Sequence, residues 1–137
     1  MIPNWVANYV GIPFADRGRD RKGVDCYGLV YLVARERFGT ELPRYDEDYP
    51  TALDREEVGT LVSGEIRSRW SEVAAGCEQI GDVALFRMVG EPCHVGIVVE
   101  PAGHLMLHCA RGANACVERY RSPKWSRRIE GFFRYAG

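Results

Sequence analysis

The chain has 137 residues, of which 46% are hydrophobic and 27% are charged, and its formal net charge is -1. This length and composition predict one globular domain over residues 1–137. The near-zero net charge gives no electrostatic reason to bind nucleic acid, and no apolar stretch approaches the length of a membrane span.

The first 24 residues are predicted to hold a short helix and a long loop. Residues 3–10 are predicted to be helical, with Pro3 near the first turn. Residues 11–24 are rich in glycine, proline and charge, which is typical of a loop. The basic run at residues 17–22 favours a solvated surface over a substrate-binding role, although it lies close enough to the next helix to reach the rim of a site.

The main helix is predicted over residues 25–38. Asp25 is a suitable N-cap, apolar side chains recur at i, i+3 and i+4 from Cys26 onward, and Gly39 is a signal for the helix end. A weaker helical pattern follows at residues 54–68.

The second half of the chain changes to the alternation typical of strands. Helices followed by antiparallel strands predict an α+β fold in which the helices pack on one face of the sheet. The predicted strands are residues 83–86, 94–99, 105–110, 116–120 and 129–135.

A cysteine and a downstream histidine indicate acyl-transfer chemistry. Cys26 stands at the predicted helix start, where the backbone N–H groups and the helix dipole can lower a thiol pKa to roughly 3.5–7.5. His94 lies near the start of a strand and would take the thiol proton as a general base. Strand alternation places His94 on one face with Gly96 and Val98, where Gly96 would leave room for the helix that carries Cys26.

Five short motifs occur in order: Gly-Ile-Pro-Phe at 11–14, Asp-Cys-Tyr-Gly-Leu-Val at 25–30, Leu-Pro-Arg at 42–44, Gly-Asp-Val at 81–83 and His-Val-Gly-Ile at 94–97. Together they resemble the NlpC/P60 family of cell-wall cysteine peptidases, most of all its members encoded with phage tails and gene-transfer particles. The resemblance implies a papain-like fold, with N-terminal helices packed on a five- to six-stranded antiparallel sheet. It also implies a peptidoglycan stem-peptide substrate, cut at a bond such as that between D-glutamate and the diamino acid.

The resemblance further implies a third polar residue that orients the catalytic imidazole. His108 follows the apolar residues 105–107, whereas His104 follows Pro-Ala-Gly at 101–103 and has the pattern of a turn residue. We therefore predict His108 for this role.

Four other residues are candidates for the vicinity of the site. The backbone N–H of Cys26 should hold the oxyanion, with Tyr9 or Tyr27 as a possible second donor. Asp25 is expected to cap the helix, and a role in recognising a substrate amine stays open. Asp16 stands where many secreted members of the family have a tyrosine that lines the substrate pocket, so a close copy of their recognition is not expected.

Neither a metal nor a cofactor is predicted. The pairs Cys93-His94 and His108-Cys109 look like ligand pairs, but neighbouring residues on a strand point to opposite faces of the sheet. No CxxC spacing occurs in the chain.

Residues 1–5 lack the charged and apolar regions of a signal peptide. We therefore expect a protein made in the cytoplasm and incorporated in a phage or tail-like particle, in contact with tail-tip proteins. Two alternatives remain open: an amidase or acyltransferase with the same three residues, and a catalytically idle component of the tail.

Overall fold

The computed structural model describes all residues, 1–137. Eight strands form a two-stranded hairpin, β1-β2, and a six-stranded sheet of order β3-β8-β4-β5-β6-β7, in which every neighbouring pair is antiparallel. The elements in chain order are a 3-10 helix Asn4–Asn8, β1 Arg19–Asp20, β2 Gly23–Val24, α1 Cys26–Arg37, α2 Arg55–Arg69, β3 Trp70–Val73, β4 Val83–Met88, β5 Glu91–Glu100, β6 Leu105–His108, β7 Cys116–Arg119, a 3-10 helix Ser126–Arg128 and β8 Ile129–Tyr135.

Two helices packed on a six-stranded antiparallel sheet confirm the predicted α+β class. Both helices begin at an aspartate whose side chain accepts a backbone N–H: Asp25 from Gly28 at 2.8 Å, and Asp54 from Glu57 at 3.2 Å. Gly39, with φ of 65°, follows the end of α1 in the left-handed conformation that glycine favours. Neither helix has the length and apolar character needed to cross a membrane.

The structure differs from the sequence predictions of local structure in three places. Residues 3–10 form only a single short 3-10 helix, and the loop predicted over 11–24 contains the β1-β2 hairpin. Strand β3 was not predicted, because its only ladder partner is β8, whose paired residues lie 59 to 65 positions away in the sequence. Long-range pairing is what makes such a segment extended, and a local pattern does not report it.

The sheet has a buried core on each face. On the helix side, 24 buried residues include the apolar side chains of α1 together with Cys93, Val95 and Ile97 of β5. The opposite face carries a smaller cluster of seven residues, centred on Trp125, which lies just before the second 3-10 helix. Because β5 is covered on both faces, its two alternating sets of side chains are both sequestered.

A buried ion pair joins the N-terminal loop to the start of α1. The Arg19 guanidinium donates to Asp25 Oδ1 at 2.9 Å, to the Arg44 carbonyl at 2.8 Å and to the Tyr49 hydroxyl at 2.7 Å. Arg19 is 4% exposed, so the solvated surface predicted for residues 17–22 is wrong at this position. A buried guanidinium is tolerated here because its N–H groups have acceptors.

Close approach of the loop to α1 requires a glycine at position 28. A Cβ atom at Gly28 would lie only 1.9 Å from the carbonyl oxygen of Gly18 and 3.0 Å from the Arg19 guanidinium. No side chain is compatible with that backbone contact.

We expect Arg19→Ala to lower the free energy of unfolding by about 3–5 kcal/mol, because it leaves the Asp25 carboxylate buried without its cation. Urea unfolding measures this loss. Arg21→Ala is the matched control, since its ion pair with Glu36 is half-exposed and should contribute less than about 1 kcal/mol. Equal effects of the two substitutions would contradict a structural role for the buried pair.

Candidate active site

The proposed nucleophile, Cys26, is the first residue of α1. The N–H at this position has no partner within the helix, so it is available to an incoming oxygen atom. The thiol is held at 3.5 Å from the carbonyl oxygen of Cys93, to which it donates. Cys26 as a whole residue is partly exposed, while its side chain packs against the core on the helix side.

Cys26 and His94 line the same small pocket, which has a volume of about 90 Å³. The pocket opens between the start of α1, the beginning of β5 and the loops that precede α2 and follow β6. Its wall is mostly apolar, with two arginines at its edge. The remaining lining residues are Phe14, Ala52, Leu53, Arg55, Met88, Cys93, Cys109, Ala110 and Arg111.

The His94 imidazole is fixed by aromatic packing on the face of the sheet opposite α1. It stacks on Trp125, with ring centroids 5.1 Å apart and an angle of 17° between the rings, and it also contacts Phe86. His94 is 5% exposed and Trp125 is 1% exposed. The ring therefore has little freedom to leave its position.

A chain of hydrogen bonds runs from His94 into the protein. His94 Nε2 lies 2.9 Å from His108 Nδ1, and His108 Nε2 lies 2.8 Å from Glu118 Oε1. Trp125 Nε1 donates to the other oxygen of Glu118 at 3.2 Å. His104, the rival for the third position, instead lies in a turn with φ of 57° and packs on Tyr120.

The Glu118 carboxylate determines which nitrogen carries the proton in each imidazole. Burial opposes its charge, but hydrogen bonds from Trp125 and His108 outweigh this and lower the pKa of Glu118 below its ordinary value. An ionised carboxylate only accepts, so His108 must donate from Nε2. His108 Nδ1 then accepts from His94 Nε2–H, and His94 Nδ1 keeps the lone pair that a general base needs.

Both imidazoles are neutral at physiological pH. Burial, together with the neighbouring His108, lowers the pKa of His94 to about 3. Burial also lowers the pKa of His108, against the opposing effect of Glu118. The hydrogen-bonded chain is therefore made of two neutral rings that end on one carboxylate.

The prediction that the helix start lowers the pKa of the Cys26 thiol was wrong. Burial raises the pKa of Cys26 well above its ordinary value, and the negative charge of the adjacent Asp25 raises it further. The residue that caps the helix thus works against the thiolate that the helix dipole favours. A neutral thiol beside a neutral imidazole calls for general-base catalysis rather than a preformed ion pair.

Two predicted oxyanion donors are engaged elsewhere, so this prediction was wrong. The Tyr9 hydroxyl donates to Glu36 at 2.8 Å, near the far end of α1. The Tyr27 hydroxyl donates to the carbonyl of Pro43 at 2.7 Å. Tyr9 and Tyr27 are both buried and belong to the core on the helix side, where they position α1 and the segment after it.

Asp25 and Asp16 have structural partners. Asp25 caps α1 and receives Arg19 and the Tyr49 hydroxyl, so its carboxylate is fully used. Asp16 accepts from Thr51 and from the N–H of Ala52 at 2.6 Å. Because Ala52 lines the pocket, Asp16 fixes one side of its rim.

The predicted purpose of Gly96 was also wrong. A Cβ at Gly96 would lie 2.7 Å from Met106 Sδ and 3.3 Å from His108 Cβ. Gly96 therefore makes room for the neighbouring strand β6 and its histidine, whereas α1 packs on the opposite face of β5.

Sequence reasoning missed Glu118 and Trp125. Cys116 and Glu118 share one face of β7 by strand alternation, but only the register of β7 against β6, which sets Cys116 opposite His108, brings Glu118 to the imidazole. No sequence signal identifies Trp125 as the partner of His94, because it lies outside any strand.

Comparison with known proteins places this geometry in a family. The NlpC/P60 family model matches residues 11–134, and the chain belongs to that family. Its members are cysteine peptidases, which agrees with a thiol and an imidazole in one pocket.

The relatives give finer comparisons. Over 127 residues the chain is 30% identical to the murein DD-endopeptidase MepS/murein LD-carboxypeptidase of Escherichia coli K12, covering 93% of this chain and 57% of that protein. An NlpC/P60 family protein from Bacillus cereus has the same fold, with a TM-score of 0.72 at 20% identity over 100% of this chain and 42% of that one. The NlpC/p60 domain of the peptidoglycan hydrolase SagA also has this fold, with a TM-score of 0.63 at 20% identity. That match covers 93% of this chain and 90% of the SagA domain.

We expect no thiolate–imidazolium pair between about pH 5 and pH 8, because the environment raises the thiol pKa and lowers that of His94. Thiolate absorbance in the ultraviolet should be the same for the wild type and Cys26→Ala across this range. One additional thiolate per wild-type molecule, lost only on acidification below pH 5, would contradict the neutral pair.

Proposed function

We propose that this protein hydrolyses an amide bond in the peptides of peptidoglycan. The observation that carries the proposal is the pocket that Cys26 shares with His94, whose other ring nitrogen is tied to His108 and Glu118. In this proposal Cys26 is the nucleophile, His94 is the general base and His108 orients His94. Membership of the NlpC/P60 family and the activities named for MepS and SagA support it.

In the proposed mechanism His94 Nδ1 takes the thiol proton as the sulfur attacks the amide carbonyl. The N–H of Cys26 stabilises the oxyanion, and His94 returns the proton to the leaving amine. Water, deprotonated by His94, then cleaves the thioester and frees the thiol. No thiolate needs to accumulate, because proton transfer accompanies the attack.

The charge at the pocket edge supports an anionic peptide as the substrate. Arg55 and Arg111 line the pocket beside Cys26, and Arg111 is held by Asp16 at 3.4 Å. Stem peptides of peptidoglycan carry free carboxylates next to their amide bonds, and arginine pairs well with carboxylates. We propose the D-glutamyl–diamino acid bond, as the sequence resemblance implies; the name of the E. coli relative makes a D,D cross-link the second candidate.

Mass spectrometry of defined muropeptides digested with the protein should give a new free amine on the diamino acid. Cys26→Ala and His94→Ala should each lower the rate by a factor on the order of 10⁴ or more, and the double variant should be no slower, because the two residues act as a unit. His108→Ala should lose less, and His104→Ala, the matched control, should keep full activity.

Four other outcomes would redirect the proposal. Cleavage only between D-alanine and the diamino acid of a cross-link would favour the second bond. Product formation only with an added amine acceptor would favour an acyltransferase. Turnover unaffected by Cys26→Ala would refute the assigned nucleophile, and no turnover of any muropeptide would favour the catalytically idle tail component.

We further propose that the protein is made in the cytoplasm and acts within a phage tail or gene-transfer particle that opens the cell wall locally. The support is the sequence resemblance to particle-encoded members of the family. The near-neutral charge suits docking on tail-tip proteins better than adsorption to an anionic wall.

Particles that carry Cys26→Ala should assemble normally but enter cells poorly, because the wall peptides would stay intact. Counting particles and measuring DNA entry into walled hosts tests this, with His104→Ala particles as the control. Normal entry by Cys26→Ala particles, or a failure of the protein to co-purify with tail-tip proteins, would refute the delivery role and leave the enzymatic proposal standing.

A further inference from the structure

Three potential metal ligands converge behind the catalytic histidines. His108 Nε2 lies 2.8 Å from Glu118 Oε1 and 3.8 Å from Cys116 Sγ, and the two last atoms lie 3.9 Å apart. All three atoms lie within 4.8 Å of one another. The ligand pairs rejected from the sequence, Cys93-His94 and His108-Cys109, are adjacent residues on one strand. The present group instead combines residues from the neighbouring strands β6 and β7.

These separations suit a tetrahedral zinc ion. Bonds of about 2.0–2.3 Å from zinc to nitrogen, oxygen and sulfur place such ligand atoms about 3.3–3.6 Å apart. Each of the three observed distances is within about half an ångström of that range, so small side-chain rotations would complete the site. A water molecule would occupy the fourth position.

The surroundings of the three ligands resemble those of metal sites. Glu118 Oε2 is held by Trp125 Nε1, which orients the carboxylate, while Oε1 accepts from His108 Nε2 and can bind an ion only once that proton has moved. His108 is buried, while Cys116 and Glu118 are only partly buried and lie on the edge strand β7, which gives an ion a path from solvent. Cys116 has no disulfide partner.

The charges balance once the thiol has ionised. One thiolate and one carboxylate match a divalent cation, and the imidazole is neutral. The positive charge of Lys124 acts on Cys116, Glu118 and His108 and weakens the attraction. The thiolate and imidazole ligands favour Zn²⁺ over Mg²⁺ or Ca²⁺, which prefer sites made of oxygen ligands.

We propose that His108, Cys116 and Glu118 form a zinc-binding site that switches the active site off. The inhibitory part rests on the proposed function, while the binding part does not. To bind zinc, His108 Nε2 must release its proton, which moves to Nδ1, and Cys116 releases a proton to solvent. His108 Nδ1–H then donates to His94 Nε2, so the proton of His94 moves to Nδ1, the nitrogen that must accept the thiol proton.

Zinc would thus reverse both tautomers without touching Cys26. Without metal, Glu118 accepts the His108 Nε2 proton, and His94 Nδ1 is left able to act as a base. With zinc bound, Glu118 is a metal ligand instead, and His94 loses that capacity. Cys116 takes no part in the proposed hydrolysis, so substitutions of Cys116 separate zinc binding from catalysis.

Binding is tested first, without any activity measurement, on the Cys26→Ala protein. Cobalt(II) should give the charge-transfer absorption of one thiolate–cobalt bond, and zinc should displace it. Imidazole NMR should record movement of the His94 and His108 protons from Nε2 to Nδ1 when zinc is added. Adding Cys116→Ala should abolish the absorption and weaken zinc binding more than about 100-fold, whereas adding Cys77→Ala, which removes an exposed thiol, should change neither.

Inhibition is tested on the protein with Cys26 intact. Zinc should stop muropeptide hydrolysis reversibly, and a chelator should restore it. Cys116→Ala and Cys116→Ser should keep the basal rate and need at least about 100-fold more zinc for inhibition. Inhibition of these variants at the wild-type zinc concentration, or cobalt absorption that survives Cys116→Ala, would overturn the site; a protein that binds zinc as expected but hydrolyses no muropeptide would overturn the proposed function alone.

Discussion

The carboxylate of Asp25 is the interaction on which the site depends. It caps α1, anchors the guanidinium of Arg19 and accepts the Tyr49 hydroxyl, so the loop before α1, the helix itself and the segment before α2 meet at one buried group. This arrangement fixes the backbone of Cys26 beside the pocket. The same negative charge raises the pKa of the neighbouring thiol, so structural order at the nucleophile comes with lower acidity.

The His94 side chain is held on the face of the sheet opposite α1, by contacts separate from those that hold Cys26. His94 can therefore be ready to act as a base while the thiol is still protonated. Trp125 fixes the plane of the His94 ring, and His108 and Glu118 fix its proton. A neutral imidazole with a pKa of about 3 is a weak base in isolation. In the proposed mechanism, stabilisation of the developing oxyanion at the N-terminus of α1 favours transfer of the thiol proton to His94 as the reaction proceeds.

Glu118 orients His108 and also lies among the potential metal ligands of the edge strand β7. A carboxylate that orients a histidine is also a metal ligand, and the choice between these roles depends on whether a third donor lies within reach. Here Cys116 is that donor, opposite His108 in the β6-β7 ladder. In the proposed zinc site, the contact between His108 and Glu118 sets the tautomer of His94 both without the ion and with it.

The sequence by itself determined the α+β class, both α-helices, the capping Asp25, five of the six strands of the sheet and the resemblance to the NlpC/P60 family. These features rest on local periodicity, capping chemistry and short motifs, all of which are read within a few positions along the chain. It also singled out His108 over His104, since one ends an apolar strand and the other follows turn residues. The tertiary structure alone decided what depends on long-range register and burial: strand β3, the buried Arg19, the engagement of Tyr9 and Tyr27 away from the thiol, and the meeting of His108 with Cys116 and Glu118. It also reversed the expected shift of the Cys26 pKa, because desolvation and the charge of Asp25 outweigh a helix dipole that the sequence alone suggests.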